Sequence, residues 1–542
     1  MTPSPDQPQP ASAEQSMATA GRAVRNVSGL TIISRIAGLT RDLVTVRIFG
    51  DTAIGSAFAA AFAIPNLFRR LFGEGALSAA FIPAYTRLLK SDPPAAHAIA
   101  SLVIGLLAAI TGALAILGAG TLIALVALLP ADHDRNFSLL LVATMLPYMP
   151  LICVAAIMGG MLQAHGRFGP WAAAPIILNI CILAVAVPFF LVPEADPHRW
   201  AFYIGAAVVI AGAVQVAWSL MMLRGNAVWT RKFQAAKGES KALLVRIIPA
   251  LIGLGTLQLN AMLDTLIAMW PNWVGPTILG HQYPLDQASN AVLFYSQRLY
   301  QFPLGVFGIA VATVVFPQLA RAANDSASFA RTLRNGIRLS LFIALPASVG
   351  LALVRDDLVH AVYTGLGGGF SEQGVARAAS VVLGYSVAVW SYSLVHVLTR
   401  AFYATGDTRT PMNAAIATVA LNLVLNFTLI WPFKEAGLAW STAAASIAQV
   451  AFLSILARKH LLSGPLLDAE SRASIVRTIG TSIAMGIAVG LMLWVWPGRT
   501  TWGAHAGALA AAVVVGAAVY AGLAAARRAP ELTWLLGRSD RG

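Results

Sequence analysis

Five arginines stand inside apolar runs long enough to cross a bilayer, where charge is costly: Arg35 and Arg41 in SRIAGLTRD, Arg69 and Arg70 in NLFRRLFGEG, and Arg298 in YSQRLYQFPLG. A guanidinium group presents a planar fork of donors that matches the paired oxygens of phosphate. At bilayer depth a charged side chain costs about 3 kcal/mol or more unless it faces protein or water. Counted at about 1.5 Å per residue, Arg35 falls near the middle of its run, Arg41 in the outer third, Arg69 and Arg70 near the middle of theirs, and Arg298 in the outer half. Several charges at similar depth imply one wet cavity, and its chemistry is anion binding.

Local pairing is the competing account, with Arg41 held by Asp42 and Arg70 by Glu74 one turn on. It serves single residues but not the set, because Asp42 and Glu74 are the carboxylates of the first two runs, set against Arg35, Arg41, Arg47, Arg69 and Arg70. Arg47 lies near a run end and can snorkel. Gly38, Gly73, Gly75 and the group Pro303, Gly305 and Gly308 flank the charges and permit bends, which a cavity opening to alternate sides requires.

A second polar group carries different chemistry. Asp264, in TLQLNAMLDTLIAMW, lies about six residues, or roughly 9 Å of helix, from the outer end of its run. Asn422 and Asn426 are four apart and share a helix face, and Thr442 reaches the same depth in the next run. One carboxylate, two amide oxygens and a hydroxyl form an all-oxygen set that suits a monovalent cation such as sodium better than a transition metal. An Asp264 satisfied by hydrogen bonds from neighbouring helices is the competing reading.

The scaffold that positions these residues is a polytopic, all-α membrane protein. The chain of 542 residues is 58% hydrophobic and only 11% charged, and its mean hydropathy is +0.72. Fourteen apolar segments of about twenty residues or more run roughly over 25–49, 53–87, 98–129, 137–163, 171–192, 200–223, 243–270, 287–320, 334–354, 376–404, 412–431, 437–457, 475–496 and 503–526. Basic residues concentrate in alternate connections, such as Arg87 and Lys90, Arg231 to Arg246, and Arg458 to Arg477, while ADHDRN and PEADPHR are acidic or neutral. This positive-inside pattern places both termini in the cytoplasm. It also accounts for the net charge of +14, so no nucleic-acid partner is expected. Cys153 and Cys181 lie within apolar runs, which argues against a disulfide framework or cysteine metal site.

Similar stretches recur. FGEGALSAAFIPAYTR and FGIAVATVVFPQLAR both close on Phe, Pro and a basic residue, and Leu178-Asn179 after HGRFGP matches Leu421-Asn422 after GDTRTP. The organisation expected is a disordered tail over 1–24, too polar for a signal peptide; a six-helix lobe over 25–223; a basic linker over 224–242; a second six-helix lobe over 243–457; a loop over 458–474; two further helices over 475–526; and a tail over 527–542. Both lobes begin on the same side, making them parallel repeats, a plan typical of alternating-access transporters.

SRIAGLTRDLVTVRIFG, IPNLFRRLFGEGALSAAFIP, QRLYQFPLGVFGIAVATVVFPQL and GDTRTP resemble the MurJ (MviN) family of lipid II flippases, within the multidrug/oligosaccharidyl-lipid/polysaccharide exporter superfamily. The resemblance runs from about Arg25 to the end. It implies transport of undecaprenyl-pyrophosphate-MurNAc-pentapeptide-GlcNAc across the bacterial inner membrane for peptidoglycan synthesis, and hence cell-wall biogenesis and cell shape. It also implies that Arg35, Arg41, Arg69, Arg70 and Arg298 bind this substrate and that the last two spans hold the polyprenyl tail; Gly38, Asp42, Glu74 and Pro303, beside these arginines, and Ser56 in span two are the candidate gating or supporting residues. Where the family often has an aspartate early in span two, this chain has Ser56, so a gate built on an Arg to Asp pair there is in doubt.

Two other readings compete with this one. Another polyprenyl-linked saccharide, or a drug, would keep the superfamily, although arginines would repel cationic drugs. A membrane glycosyltransferase or ligase would need an acid, nucleophile or metal site. The longest outer connections offer His281, Asp286, Asp356, Asp357 and His360 without ligand spacing. His165, His396 and His505 read as helix-end or packing residues. The expectation is a monomeric transporter with no catalytic residues, membrane lipids around it, and no cofactor beyond a sodium ion.

Overall fold

Hydrophobic runs that cross a bilayer must satisfy their own backbone polar groups, so they form helices. The computed structural model describes residues 33–73, 76–167, 169–233, 258–305, 309–365 and 368–535, together with residues 30 and 238. The tail over 1–24, Glu74, Gly75, Gly308 and most of the linker beyond residue 233 lie outside the described residues. Among the described residues ten helices are long and apolar enough to span a membrane. Helical segments over 33–49, over 53–73 and 76–91, over 258–268, and over 289–305 and 309–322 occupy four other runs.

The chain divides into two compact units. Unit 1 takes in 1–44, 68–122 and 143–248, and unit 2 takes in 45–67, 123–142 and 249–542. The division cuts through helices: α1 (33–49) changes unit after Val44, α2 (Ala53–Phe68) near its end, and α4 (Pro93–Leu128) after Leu122. Within unit 1, α3 (Ala76–Ser91) packs on α6 (Tyr148–Ala164), which with α7 (Gly169–Ala186) lies against α8 (Pro197–Leu223). The short α5 (His133–Met145) precedes α6. Small residues allow the close approach. A Cβ on Gly212 would stand 2.8 Å from the Tyr148 ring, and one on Gly160 would stand 2.8 Å from Ile82.

Unit 2 holds α9 (258–268), α10 (Trp270–Trp273), the antiparallel pair β1 (Thr277–Ile278) and β2 (His281–Gln282), and the helices α11 (Ser289–Pro303), α12 (Ile309–Ala322), α13 (Ser326–Tyr363), α14 (Glu372–Ser386), α15 (Val389–Ala404), α16 (Arg409–Phe433), α17 (Glu435–His460), α18 (Ala469–Val495), α19 (Trp502–Ala526) and α20 (Pro530–Leu535). Side-chain caps mark several starts: Asp325 accepts from Ala327 and Ser328 N–H, Ser371 from Gly374 N–H, and Asp468 from Ser471 N–H. One apolar core gathers Tyr295, Tyr363, Val382 and Tyr385 from α11, α13 and α14, and another joins α12, α13, α15 and α17 around Leu333, Val397 and Leu453. Arg338 anchors α20: it donates to Glu531 Oε1 at 2.7 Å and Glu470 Oε1 at 2.6 Å, and it lies 4.9 Å from the Trp534 ring.

Candidate functional site

Beside the charges, the chain leaves α-helical geometry at two of the three glycine and proline sites. Arg69–Gly73 forms a π-helical turn just after Pro65 in α2, and α11 ends at Pro303 with residues 304 and 305 π-helical. Proline removes a helical donor, and a π turn widens the backbone, so both devices re-aim the adjacent side chains. The third place differs: α1 runs unbroken through Gly38, which lies against Asn179, with 3.6 Å between its would-be Cβ and Nδ2. A glycine flanked by helix formers and packed on a neighbour has no reason to bend.

Unit 1 contains four of the five arginines. Arg41 Nε and Nη2 donate to Asp42 Oδ1 at 3.0 and 2.7 Å, and Nη1 donates to Asn179 Oδ1 at 3.0 Å. Asn179 Nδ2 in turn donates to the Ser34 carbonyl at 3.4 Å. The local partner weighed above is therefore present for Arg41, and together with Asn179 it fixes the direction of the guanidinium fork. Arg69 and Arg70 are half-buried on the π turn, and Arg35 is exposed. The π turn packs on α6, and the Arg41–Asn179 bond ties α1 to α7. Arg298 belongs to unit 2, where its guanidinium sits 4.7 Å from the Phe294 ring centre on the same helix.

Ser56 is fully buried within unit 2. Its hydroxyl accepts from Ala291 N–H at 2.9 Å, and its carbonyl accepts from Asn290 Nδ2 at 2.8 Å. A serine thus caps the first turn of α11 without an acid. Nearby, Asp51 accepts from Ser371 N–H at 2.8 Å and from the Ser371 hydroxyl at 2.6 Å. Trp273 Nε1 donates to Ser138 Oγ at 2.8 Å. These bonds place the ends 45–67 and 123–142 in unit 2, and nothing in the hydropathy of the chain announces them.

Asp264, Asn426, Asn422 and Thr442 form one chain of hydrogen bonds. Asn426 Nδ2 donates to Asp264 Oδ1 at 2.7 Å and to Asn422 Oδ1 at 3.0 Å, and Asn422 Nδ2 donates to Thr442 Oγ1 at 3.2 Å. Asp264, Asn422 and Asn426 are buried. Asn426 Oδ1 is enclosed with no hydrogen-bond partner among the described residues. An orphan amide oxygen beside a buried carboxylate fits a small cation, which would satisfy both. Among the described residues no group of three or more His, Cys, Asp or Glu is arranged to hold a metal ion.

Asp286, Asp356, Asp357 and His360, from the long outer connections, are engaged in ion pairs and stacks. Asp286 accepts from Arg377, which also donates to Glu435 Oε1 at 2.6 Å. Asp357 accepts from Arg499 Nη1 at 2.7 Å and lies 2.7 Å from His505 Nδ1, and the His505 ring stacks on His360 at 3.9 Å. His165 Nε2 meets the Tyr85 hydroxyl at 3.1 Å. Sequence separation hid these pairings.

The fold is that of a polytopic transporter. A solved inward-facing multidrug transporter of the MATE family and MOP superfamily superposes with a TM-score of 0.62 at 12% identity, covering 80% of this chain and 98% of that one. A structure described as lipid II flippase MurJ in an inward closed conformation superposes with a TM-score of 0.75 at 21% identity, covering 92% of this chain and 97% of that one. The family description "Lipid II flippase MurJ" matches residues 45–513. A probable lipid II flippase MurJ of Vibrio cholerae is 31% identical over 88% of this chain and 89% of its own. The chain belongs to the lipid II flippase MurJ family. Arg69, Arg70, Arg298 and the Asp264 cluster fall within the matched residues, and Arg35 and Arg41 precede them.

Proposed function

We propose that this chain carries lipid II, undecaprenyl-pyrophosphate-MurNAc-pentapeptide-GlcNAc, from the cytoplasmic to the periplasmic leaflet of the bacterial inner membrane by alternating access, without catalysing a reaction. The observation that carries the reading is the Arg41 fork held by Asp42 and Asn179, with Arg35 exposed on the same helix and Arg69 and Arg70 on the π turn that packs against α6. Arginines fixed at span depth, with Asp42 and Asn179 aiming one fork, suit a pyrophosphate better than a neutral or cationic cargo. Arg70, toward the cytoplasmic approach, and Arg298 are the further guanidinium groups assigned to this anionic substrate.

The accompanying architecture is fourteen spans in two parallel six-helix lobes, with both termini in the cytoplasm and the protein acting as a monomer. The hairpin of α18 and α19 offers the polyprenyl tail its apolar face, where Ile483, Ile487, Leu491 and Val514 are exposed. A sodium ion at Asp264, Asn426, Asn422 and Thr442 would supply one positive charge to a buried carboxylate, and its release inward would reset the second lobe. The test is depletion of the protein in cells, followed by leaflet-resolved assay of polyprenyl-linked precursors. Lipid II should accumulate in the inner leaflet; accumulation of a different lipid-linked saccharide, with lipid II export intact, overturns the assignment.

A further inference from the structure

Asp357, near the end of α13, is buried and holds two groups from the turn that joins α18 to α19. One oxygen accepts from Arg499 Nη1 at 2.7 Å, and the other lies 2.7 Å from His505 Nδ1. An ionised carboxylate only accepts, so the Nδ1 proton belongs to His505 and its Nε2 is left to take another. His360 follows one turn along α13, and its ring lies face to face with that of His505, with centroids 3.9 Å apart and planes 8° from parallel. Trp502 adds a further tie, donating from Nε1 to the Ala361 carbonyl at 2.9 Å. Polar and ring contacts thus fasten residues 499–505 to residues 357–361. Farther along the same helices, Val354, Met485, Val489 and Ala508 pack in an apolar core that carries no titratable group.

The stack is sensitive to charge. Two neutral rings, or one neutral and one protonated, attract each other, whereas two imidazolium cations at this spacing repel across a largely buried gap. The charged neighbours leave that repulsion standing. On α13, Asp356 lies 3.6 Å from Arg355, and Asp357 is already balanced by Arg499 from the turn. On α14, Glu372 Oε2 lies 3.9 Å from His360 Nε2, but Glu372 is exposed and water screens it. A closed stack therefore holds one added proton, whereas parted rings hold two. By linkage the parted state gains as pH falls below the ordinary histidine value of about 6.5, by up to about tenfold per pH unit, and the closed state prevails above it.

We propose that His360 and His505 form a proton-operated clasp, which fastens the α18–α19 turn to α13 at neutral pH and releases it in acid. The topology proposed above turns this end of the hairpin to the periplasm, but the clasp rests neither on that reading nor on the cargo. Hydrogen–deuterium exchange of the full chain in detergent, read over residues 499–505 from pH 8 to 4 and corrected for the intrinsic rate, tests it directly. In the wild type, protection should fall by about fivefold or more between pH 7.5 and 5.5, while residues 508–516 keep theirs. His360→Gln keeps a planar polar side chain but takes no proton; it should hold its protection at pH 7.5 to within about twofold and lose the acid response. His505→Asn should do the same, its amide donating to Asp357 in place of Nδ1. An acid response equal in the wild type and both variants places the proton elsewhere and overturns the clasp, as does wild-type protection that acid leaves unchanged. If the variants are already open at pH 7.5, the wild-type profile decides. Loss that sets in above about pH 5 supports the histidines, and loss that sets in only below it belongs to carboxylates and overturns the proposal.

Discussion

The Ser56 hydroxyl, fully buried, accepts the backbone N–H of Ala291 at 2.9 Å and so caps the first turn of α11, 235 residues further along the chain. A neutral cap at a helix start contributes about 1 kcal/mol, and removing it strands the N–H. Ser56→Ala should lower unfolding stability by that amount in calorimetry of the purified protein. Ser56→Asp should restore it and add an attraction to the positive helix end. Equal stability of all three chains would show that the cap is energetically silent.

Asp51 and Ser371 bind through two hydrogen bonds, and Gly374 leaves the space that the carboxylate fills. If lobe motion opens this contact in each cycle, a covalent bond across it must stop transport. A chain carrying Asp51→Cys and Ser371→Cys, with Cys153 and Cys181 replaced, should lose flipping on oxidation and recover it on reduction. Full flipping in the oxidised, verified crosslink argues against opening at this point.

Arg35→Ala and Arg298→Ala should abolish lipid II export while leaving the amount of inserted protein unchanged, as read by complementation and immunoblot. Lysine at either position should rescue only in part, since it keeps the charge but loses the bidentate fork. Complementation by both alanine variants would remove these arginines from substrate binding.

Asp264→Asn should abolish sodium-dependent thermal stabilisation, because it removes the only formal charge in the Asp264, Asn422, Asn426 and Thr442 set. Potassium at equal ionic strength separates site binding from screening. An identical response of both chains to sodium would place the ion elsewhere.

Glu531 gives a pH-dependent contact at the chain's far end. Burial pushes its pKa up, but hydrogen bonds from Ser474 and Arg338 outweigh this and hold it below the usual glutamate range. A lowered folded pKa means that the contribution is complete above the unfolded value of about 4.3 and is lost as pH falls through the folded one. Limited proteolysis should find α20 protected at neutral pH and released in acid. Glu531→Gln should release it at neutral pH, at a cost of about 3 kcal/mol for the broken buried pair. Acid-resistant protection in the wild type would contradict the anchor.

The membrane class, the helical runs and the residues whose charge must be compensated are legible in composition and spacing, because bilayer thickness and helix pitch act locally on the chain. Local pitch was also enough to group Asn422 with Asn426, and shared depth to add Asp264 and Thr442. The π-helical turns at Arg69–Gly73 and after Pro303 lie where glycine and proline stand, whereas α1 is continuous through Gly38, which packs against Asn179. That Ser56 meets Ala291, that Asp51 meets Ser371, and that Asp357 lies between Arg499 and His505 emerged only from the packed fold. Each of these depends on how one helix is rotated against another. Hydropathy cannot report that rotation, since every face of a span in lipid is apolar, and it is set by small-residue contacts and by the few polar groups that must find each other.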